Sequence, residues 1–370
     1  MVSRPSVVQL MGAPASRVVR WVIPGVMVGL ACAGGAGDEP PEPAIPVISA
    51  EFHTERDTVD NIDSPAIWHG PSDQHWLLAT AKETDVIVVT DARDGLFLHR
   101  FGGEGAAPGQ LDRPNGIAVM DDMLFVVERD NARVQVFTLP DFQTIGIYGA
   151  ADLQLPYGIA LQREGNGRYR TWITDNYEQA DDVVPPDSML GQRVREYTVL
   201  ISDGALSAQL VRTFGATSGP GVLRVVESIA VDSANQRLLI AEEQERASMV
   251  KEYATDGSFT GRIIPDSFFP NQAEGIVLYD CGGTAGYWIT TDQGKAVNTF
   301  HVFDRVSLDH LGSFRGERVL NTDGIALTQV GLPGYENGAF YAVHDDGNVA
   351  GFRWAAIAGA LGLRTDCAGG

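Results

Sequence analysis

The sequence predicts an all-β protein, a six-bladed β-propeller, and three observations lead to this fold class. Beyond residue 46, no long stretch keeps the spacing of apolar residues that an α-helix requires. Short runs rich in Val, Ile, Leu, Phe and Tyr alternate instead with clusters of Gly, Asp and Asn, which is typical of strands and turns. A short phrase also recurs, mostly at intervals of about 40–50 residues, which is the period of a four-stranded propeller blade.

The recurring phrase is a polar residue followed by Gly or another small residue and then by an aliphatic run, as in residues 115–119. Its six copies begin at Ser64, Asn115, Tyr157, Glu227, Glu274 and Asp323, in steps of 51, 42, 70, 47 and 49 residues. The longest step contains a polar insertion at 179–193. The segment 47–52 precedes the first copy and is predicted to supply the missing outer strand of the last blade. Such a strand would close the ring and remove its exposed edges.

The N-terminal residues predict export. Residues 1–31 contain three arginines followed by an apolar run that ends at Ala31, the order of a secretory signal. Leu30-Ala31-Cys32 resembles a bacterial lipoprotein cleavage site, so Cys32 is the expected point of a lipid anchor. Residues 32–46 are rich in Pro, Gly and Glu and are predicted to be a tether. We expect a propeller at 47–365 in a cell-envelope lipoprotein, periplasmic or on the outer surface, or otherwise a secreted protein.

The formal net charge of −21 argues against a nucleic-acid partner or an anionic membrane surface, because phosphate groups would be repelled. A bulk excess of carboxylates is also commonly a device for solubility. We expect a monomer that meets a membrane only through its anchor. Cys281 and Cys367 are the two cysteines of the mature domain, and the sequence leaves open whether they form a disulfide.

The repeat predicts two rings of side chains around the propeller axis, because equivalent positions of the blades become neighbours there. The first ring holds the first residue of each phrase: Ser64 (preceded by Asp63), Asn115, Tyr157, Glu227, Glu274 and Asp323. The second ring follows the second strand of each blade: Lys82, Arg129, Asn176, Glu243, Gln293 and Asp345. Acids on blades four to six would therefore face bases on blades one and two.

So many neighbouring carboxylates repel one another unless they are protonated or share a cation. Oxygen ligands without a matching set of His and Cys favour calcium or magnesium over zinc. The alternative is a structural role, in which individual acids cap strand amides or pair with an arginine of a neighbouring blade. Asp130 and Arg133 are assigned to this structural role, and Trp288 and Phe300 to the core.

Two family resemblances add to this. Residues 109–137 closely resemble an NHL repeat, which occurs in enzymes and binding scaffolds alike and supports only the architecture. Most of residues 47–355 resemble the β-propeller phytases, calcium-dependent enzymes that remove phosphate from myo-inositol hexakisphosphate. The most specific piece is Asp63-Ser64-Pro65-Ala66-Ile67-Trp68, which is similar to that family's Asp-Asp-Pro-Ala-Ile-Trp. The other matching pieces lie at 80–82, 157–158, 227, 240–243, 273–275, 292–294, 322–324, 345 and 348.

The resemblance implies a role for each matching position. A structural calcium would be held by Asp63, the Pro65 carbonyl, Asp345 and Asn348. The calcium ions and the water of the cleavage site would be surrounded by Glu227, Glu243, Glu274, Gln293 and Asp323. Substrate phosphates would contact Lys82, Arg129 and Tyr157. In this family calcium neutralises and polarises the phosphate and lowers the pKa of the attacking water, without a covalent intermediate.

Several positions depart from the family pattern. Ser64 replaces the second Asp of the first motif, Gln272 replaces an Asp two residues before Glu274, and Asn176-Tyr177 replace a Lys-Glu pair. The expected function is a calcium-dependent phosphomonoesterase that acts on phytate or a related phosphorylated small molecule. One alternative is a catalytically weak propeller that binds a ligand or a protein partner. Another is a metal-dependent lactonase or esterase of the gluconolactonase type.

Overall fold

The fold is described from a computed structural model that covers residues 44–180, 182–244 and 247–367. The predicted signal peptide, Cys32 and the tether up to residue 43 lie outside the described residues. Two short strands come first, β1 (Val47–Ile48) and β2 (Phe52–His53). Among the described residues, no helix is long and apolar enough to cross a membrane.

Six sheets follow one another along the chain, which confirms the six-bladed propeller. Blade 1 holds β3 (Ile62–Gly70), β4 (Gln74–Ala81), β5 (Val86–Asp91) and β6 (Phe97–Gly102). Blade 2 holds β7 (Pro114–Met120), β8 (Met123–Glu128), β9 (Arg133–Thr138) and β10 (Thr144–Tyr148). Blade 3 holds β11 (Pro156–Gly165), β12 (Arg168–Asp175), β13 (Val194–Ser202) and β14 (Ala205–Phe214).

The remaining blades repeat this order. Blade 4 holds β15 (Val226–Asp232), β16 (Arg237–Glu242), β17 (Met249–Ala254) and β18 (Phe259–Ile264). Blade 5 holds β19 (Ala273–Asp280), β20 (Gly286–Asp292), β21 (Thr299–Asp304) and β22 (His310–Gly316). Blade 6 holds β23 (Ile325–Thr328), β24 (Ala339–His344) and β25 (Asn348–Arg353).

The core lies between the faces of adjacent blades. A strand that is covered on both faces needs a continuous apolar run, and the second strand of blade 2 has one, with Leu124–Val127 fully buried. Trp68 and Leu78 of blade 1 pack in one cluster with Ile117 and Leu124 of blade 2. Trp288 and Phe300 are fully buried core residues, as expected. This packing fixes each inner strand against its neighbours around the axis.

The N-terminal segment closes the ring, although not as a single strand. β2 pairs antiparallel with β25 and becomes the fourth strand of blade 6, so the predicted closure is confirmed. β1 departs from the prediction, because it pairs in parallel with β22 and becomes a fifth strand of blade 5. The three residues between β1 and β2 carry the chain from one blade to the next.

The C-terminal segment packs against blade 5. Helix α1 (Trp354–Leu361) follows β25 directly and ends at Gly362, whose φ of 68° is the left-handed conformation of a helix C-cap. Trp354 is fully buried and stacks on Tyr279 with ring centroids 4.2 Å apart. A disulfide joins Cys281 to Cys367, which answers the question that the sequence left open.

The polar insertion lies between β12 and β13, and its described part contains one turn of 3-10 helix at Asp187–Met189. Tyr177, Leu190 and Val222 form a small buried cluster beneath it. The Arg193 guanidinium lies 4.5 Å from the centre of the Tyr177 ring and donates to three backbone carbonyls. Tyr177, one of the departures from the family pattern, therefore stabilises this loop.

Candidate metal centre at the channel mouth

A β-bulge at the start of the inner strand places the first ring. In blade 2, Pro114 lies opposite Glu128 and Ile117 lies opposite Val126, so the two residues between them on β7 face a single residue of β8. The first strands of blades 1, 3, 4 and 5 show the same shift. A bulge inserts an unpaired residue and turns its side chain away from the ordinary strand face. In blades 1 to 5, the repeated phrase therefore coincides with a β-bulge at the start of the first strand.

The bulge also corrects the ring position in blade 1. The shift there falls between Ile62 and Pro65, which makes Asp63 the counterpart of Asn115, and Ser64 the counterpart of Gly116. The glycine packing agrees with this. A Cβ on Gly116 would clash with the carbonyl of Tyr157, the ring residue of the next blade, and a Cβ on Gly324 would clash with the carbonyl of Asp63 in the same way. The first ring is therefore Asp63, Asn115, Tyr157, Glu227, Glu274 and Asp323.

Hydrogen bonds between blades hold the ring backbone in place. Thr80 Oγ1 in blade 1 donates to the Asn115 carbonyl at 2.8 Å, and Thr174 Oγ1 in blade 3 donates to the Glu227 carbonyl at 2.8 Å. The Gly275 amide donates to the Asp323 carbonyl at 3.0 Å. Since these three ring carbonyls are bound by the preceding blade, their side chains are presented from a fixed backbone.

Three glutamates meet on blades 4 and 5. One carboxylate oxygen from each of Glu227, Glu243 and Glu274 lies within 4.8 Å of the others. Burial raises the pKa of Glu227 well above its usual range, and Glu243 and Asp63 raise it further. Burial, and then Glu227 and Glu243, likewise raise the pKa of Glu274. Glu274 Oε2 is buried and has no hydrogen-bond partner among the described residues.

Two glutamines border this group of acids. Gln272 Nε2 donates to Glu243 Oε2 at 3.1 Å, so the residue that departs from the family pattern contacts an acid of the cluster. Gln293 Nε2 donates to Asp323 Oδ1 at 2.7 Å. Asp323 Oδ2 is buried without a partner among the described residues, and burial, followed by Asp63, raises the pKa of Asp323.

Asp63 is the centre of a second group on the other side of the ring. Its carboxylate accepts Lys82 Nζ at 2.7 Å, Ser64 Oγ at 2.7 Å and the Tyr157 hydroxyl at 3.2 Å. Burial works against the charge of Lys82, but Asp63, and then Asp323 and Glu227, hold its pKa above the usual value. Burial and Asp63 raise the pKa of Tyr157 as well. The raised pKa favours the charged form of Lys82 beside Asp63.

The donors at this mouth fit a hard divalent cation. Glu227, Glu243, Glu274, Asp323 and Gln293 offer oxygen atoms, and neither His nor Cys belongs to the three-glutamate group. Oxygen donors of this kind suit calcium or magnesium. The unpartnered oxygens of Glu274 and Asp323 are what a bound cation would satisfy, because a buried polar atom without a partner costs about 1–3 kcal/mol.

Three expected site residues have other partners. Arg129 Nε donates to Asp130 Oδ1 at 2.7 Å on the propeller surface. Asp345 is exposed and pairs with Arg56 at 2.6 Å, and the Asn348 Oδ1 atom accepts from the same guanidinium at 3.4 Å. Pro65 lies in β3 opposite Ala79 and lines the central channel. A cation at Asp345 and Asn348 would have to displace Arg56.

A third set of acids is structural. These residues precede the second ring by one position: Glu128, Asp175, Glu242 and Asp292. Glu128 pairs with Arg133 at 2.7 Å, which agrees with the structural assignment of Arg133. Each of the other three accepts backbone amides of the loop that leads into its own blade. The Asn176 side chain instead accepts the amide of Val226, the first residue of the next blade, at 2.7 Å.

No protein family and no curated protein matches the sequence. Two solved structures illustrate what the fold resembles. The nidogen/laminin complex gives a TM-score of 0.47 at 14% identity over 70% of this chain and 82% of that chain. The hydrazine synthase of Kuenenia stuttgartiensis gives a TM-score of 0.47 at 12% identity over 82% of this chain and 80% of that chain.

Proposed function

We propose that the acidic mouth is the active site of a calcium-dependent phosphomonoesterase, whose substrate is phytate or a related phosphorylated small molecule. The observation that carries this proposal is the convergence of Glu227, Glu243 and Glu274 within 4.8 Å, with unpartnered oxygens on Glu274 and Asp323. Acids gathered in this way need a counter-charge, and phosphate needs a cation wherever the protein surface is acidic.

The residues of the chain take distinct parts in this mechanism. Glu227, Glu243 and Glu274, with Asp323 and Gln293, would hold the metal. When bound, calcium would polarise a phosphate oxygen and lower the pKa of a coordinated water. Lys82 stays charged beside the cluster and attracts the phosphate, while the Tyr157 hydroxyl, tied to Asp63 at 3.2 Å, keeps that carboxylate turned toward Lys82.

Phosphate release from phytate tests this proposal, with calcium varied from chelator-treated protein to saturation and with pH scanned from acid to alkaline. We expect the wild type to release phosphate only with calcium, and Glu274→Gln to lose roughly 100-fold or more, since it weakens metal binding. Glu336→Gln, at an exposed site on blade 6, is the matched control. If wild-type protein releases no phosphate at any calcium level or pH, the proposal is wrong.

The second candidate is a propeller that binds a phosphorylated ligand or a protein partner at this mouth with little turnover. Two observations favour it: Lys82 is already paired with Asp63, and Asn176, where the family has a lysine, is used to bind the Val226 amide. This candidate predicts that calcium raises the melting temperature without phosphate release. Lactone hydrolysis with a single bound metal would instead select the gluconolactonase type.

We also propose that the protein is exported and works outside the cytoplasm as a monomer. The Cys281–Cys367 disulfide supports export, because such bonds persist in oxidising compartments. Labelling cells with a membrane-impermeant reagent and with a radioactive fatty acid, in the wild type and in Cys32→Ser, measures both the compartment and the anchor. Cytoplasmic protein without bound lipid would overturn this placement.

A further inference from the structure

The far ends of the inner strands carry a chain of hydrogen bonds that the acidic mouth does not use. His69 in β3 and His75 in β4 are cross-strand neighbours, and their Nδ1 atoms are 2.8 Å apart. His69 Nε2 lies 2.7 Å from Thr328 Oγ1 in blade 6, and His75 Nε2 lies 3.1 Å from Asp73 Oδ1. His69 follows Asp63 by six positions, or about 20 Å along a strand. The four residues therefore lie at the opposite mouth of the channel.

The acidic end of this chain places a hydrogen on the neighbouring histidine nitrogen. Asp73 can only accept, and its other oxygen pairs with Arg93 at 2.8 Å, so His75 Nε2 carries a hydrogen. In the tautomers in which His75 accepts at Nδ1 and His69 donates from Nδ1, His69 Nε2 is left as an acceptor. The Thr328 hydroxyl consequently points its hydrogen at His69. The Val330 amide donates to the same hydroxyl oxygen at 3.1 Å, which fits this orientation.

The neutral state assumed for His69 agrees with its surroundings. Burial, and then His75, lower the pKa of His69 to about 4, so the ring stays uncharged at ordinary pH. A hydroxyl hydrogen-bonded to a neutral imidazole that is oriented by a further group is the arrangement of an activated nucleophile. The low basicity of His69 predicts slow proton transfer and a modest rate.

A cavity of about 310 Å³ opens beside this hydroxyl. Most of its lining side chains are apolar, with Ile67, Val119 and Leu327 among them, Thr328 and His69 supply its two polar side chains, and backbone groups add further polar surface. Ligand sites typically combine apolar walls with a few convergent polar groups and measure about 300–1,000 Å³. The apolar side chains next to one hydroxyl and exposed backbone groups suit a small ester that has an apolar part and one reactive polar group.

We propose that the opposite mouth is an esterase-type site for small apolar carboxylic esters, with Thr328 as nucleophile and His69 as general base. Thr328 Oγ1 forms a bond to the ester carbonyl carbon while its hydrogen moves to His69 Nε2. The bond to the alkoxy oxygen breaks, and His69 returns the proton to release an alcohol. Water then cleaves the acyl-threonine to the carboxylic acid and restores the hydroxyl. His75 and Asp73 are positioning residues, which orient His69 and stabilise its transient charge. The cycle needs no metal and no oxidant.

Two probes test this site in the purified full-length protein: an alkyl fluorophosphonate, read by intact mass and peptide mapping, and p-nitrophenyl butyrate hydrolysis with chelator present. The wild type should take up one fluorophosphonate on the peptide that contains Thr328 and should hydrolyse the ester. Thr328→Val keeps the shape without the hydroxyl and should lose both signals, whereas Thr328→Ser should keep them. Thr217→Val, at an exposed threonine in the loop between blades 3 and 4, should match the wild type.

The supporting residues need a different measurement. His69→Gln should slow labelling by roughly 10²–10⁴-fold. His75→Gln should alter the pH profile of labelling, a change that a merely structural contact would not produce. Thermal unfolding of each variant verifies folding. The proposal is overturned if the wild type takes up no probe, if the adduct maps to another residue, or if Thr328→Val hydrolyses the ester like the wild type. Ester hydrolysis abolished by chelator would place it at the acidic mouth instead.

Discussion

Adjacent glutamates at the end of β16 have different roles. Glu242 is 1% exposed and accepts the backbone amides of Arg224 at 2.6 Å and Val225 at 2.9 Å. Glu243 belongs to the three-glutamate group with Glu227. Successive side chains of a strand point to opposite faces, so one glutamate holds the loop before the blade while the next reaches the channel mouth.

Replacing each glutamate by glutamine separates these roles. Glu242→Gln puts an amide NH₂ among buried donors and should cost about 1–3 kcal/mol of stability, while the calcium-induced rise in melting temperature remains. Glu243→Gln removes a repelling charge, so the metal-free protein should be at least as stable as the wild type, but the calcium-induced rise should shrink. Thermal unfolding with and without calcium measures both effects. Equal losses of stability in the two variants would contradict this division.

The sequence predicted the rings more accurately than it predicted the partners within them. Lys82 and Arg129 occupy equivalent positions of neighbouring blades, yet the Lys82 side chain is largely buried beside Asp63 and Arg129 turns to its chain neighbour Asp130. Likewise Asp345 is paired with Arg56, a residue outside every repeat. A repeat fixes where a backbone lies, but the direction of a long side chain depends on the nearest opposite charge, which the repeat does not encode.

At the scale of the elements, the recurring phrase predicted the first strand of each blade, because its apolar pattern and its spacing are similar in all six blades. The register was predicted less well. One unpaired residue at the bulge moves the ring position from Ser64 to Asp63. The sequence of β3 alone does not show which residue of β4 lies opposite each of its residues, so the bulge could not be located from it. The chain of hydrogen bonds at the opposite mouth was also not predicted, because His69 and His75 become neighbours only when the β3–β4 turn folds. Two histidines flanking a tight turn would have been the signal.

The closing strand makes a prediction at this scale. Phe52 in β2 packs on Tyr341 with ring centroids 6.3 Å apart and lies over Gly351, where a Cβ would meet its ring. Phe52→Ala should lower the free energy of unfolding by about 2–3 kcal/mol, because it opens a gap where the ring closes. Val47→Ala, at a side chain 61% exposed in β1, should change it by less than about 0.5 kcal/mol. Urea unfolding measures both, and equal effects would contradict a special role for β2.

At the scale of the whole molecule, the buried histidines contribute to the way in which the free energy of unfolding depends on pH. Burial, and then His310, lower the pKa of His301 to about 4, and His69 has a similarly lowered pKa. A histidine whose pKa is lower in the folded state resists protonation there, while the unfolded chain takes up a proton near its ordinary pKa. The part of the stability that these histidines contribute is therefore complete above about pH 6.5 and is lost as the pH drops toward 4.

Removing one such histidine should flatten this response. His301 is 8% exposed and lies among the rings of Phe268, Phe269 and Phe303, so His301→Phe keeps an aromatic ring in place. The free energy of unfolding of the wild type should fall, relative to that of the variant, by up to about 3 kcal/mol between pH 6.5 and 4. Denaturant unfolding across this range measures the difference. If the free energies of unfolding of the wild type and of the variant change in parallel with pH, His301 titrates in the folded protein as it does in the unfolded chain.

The split entry of the chain, with β1 on blade 5 and β2 on blade 6, also decides how the domain bears mechanical load. Tension applied at residue 44 reaches the two-residue ladder between β1 and β22 before it reaches β2. The short ladder can part while the ring stays closed, since blade 5 keeps its four other strands. Under a pull on the N-terminal end, β1 can therefore unpair from β22 first, while the six blades that form both mouths of the channel keep their other strands paired.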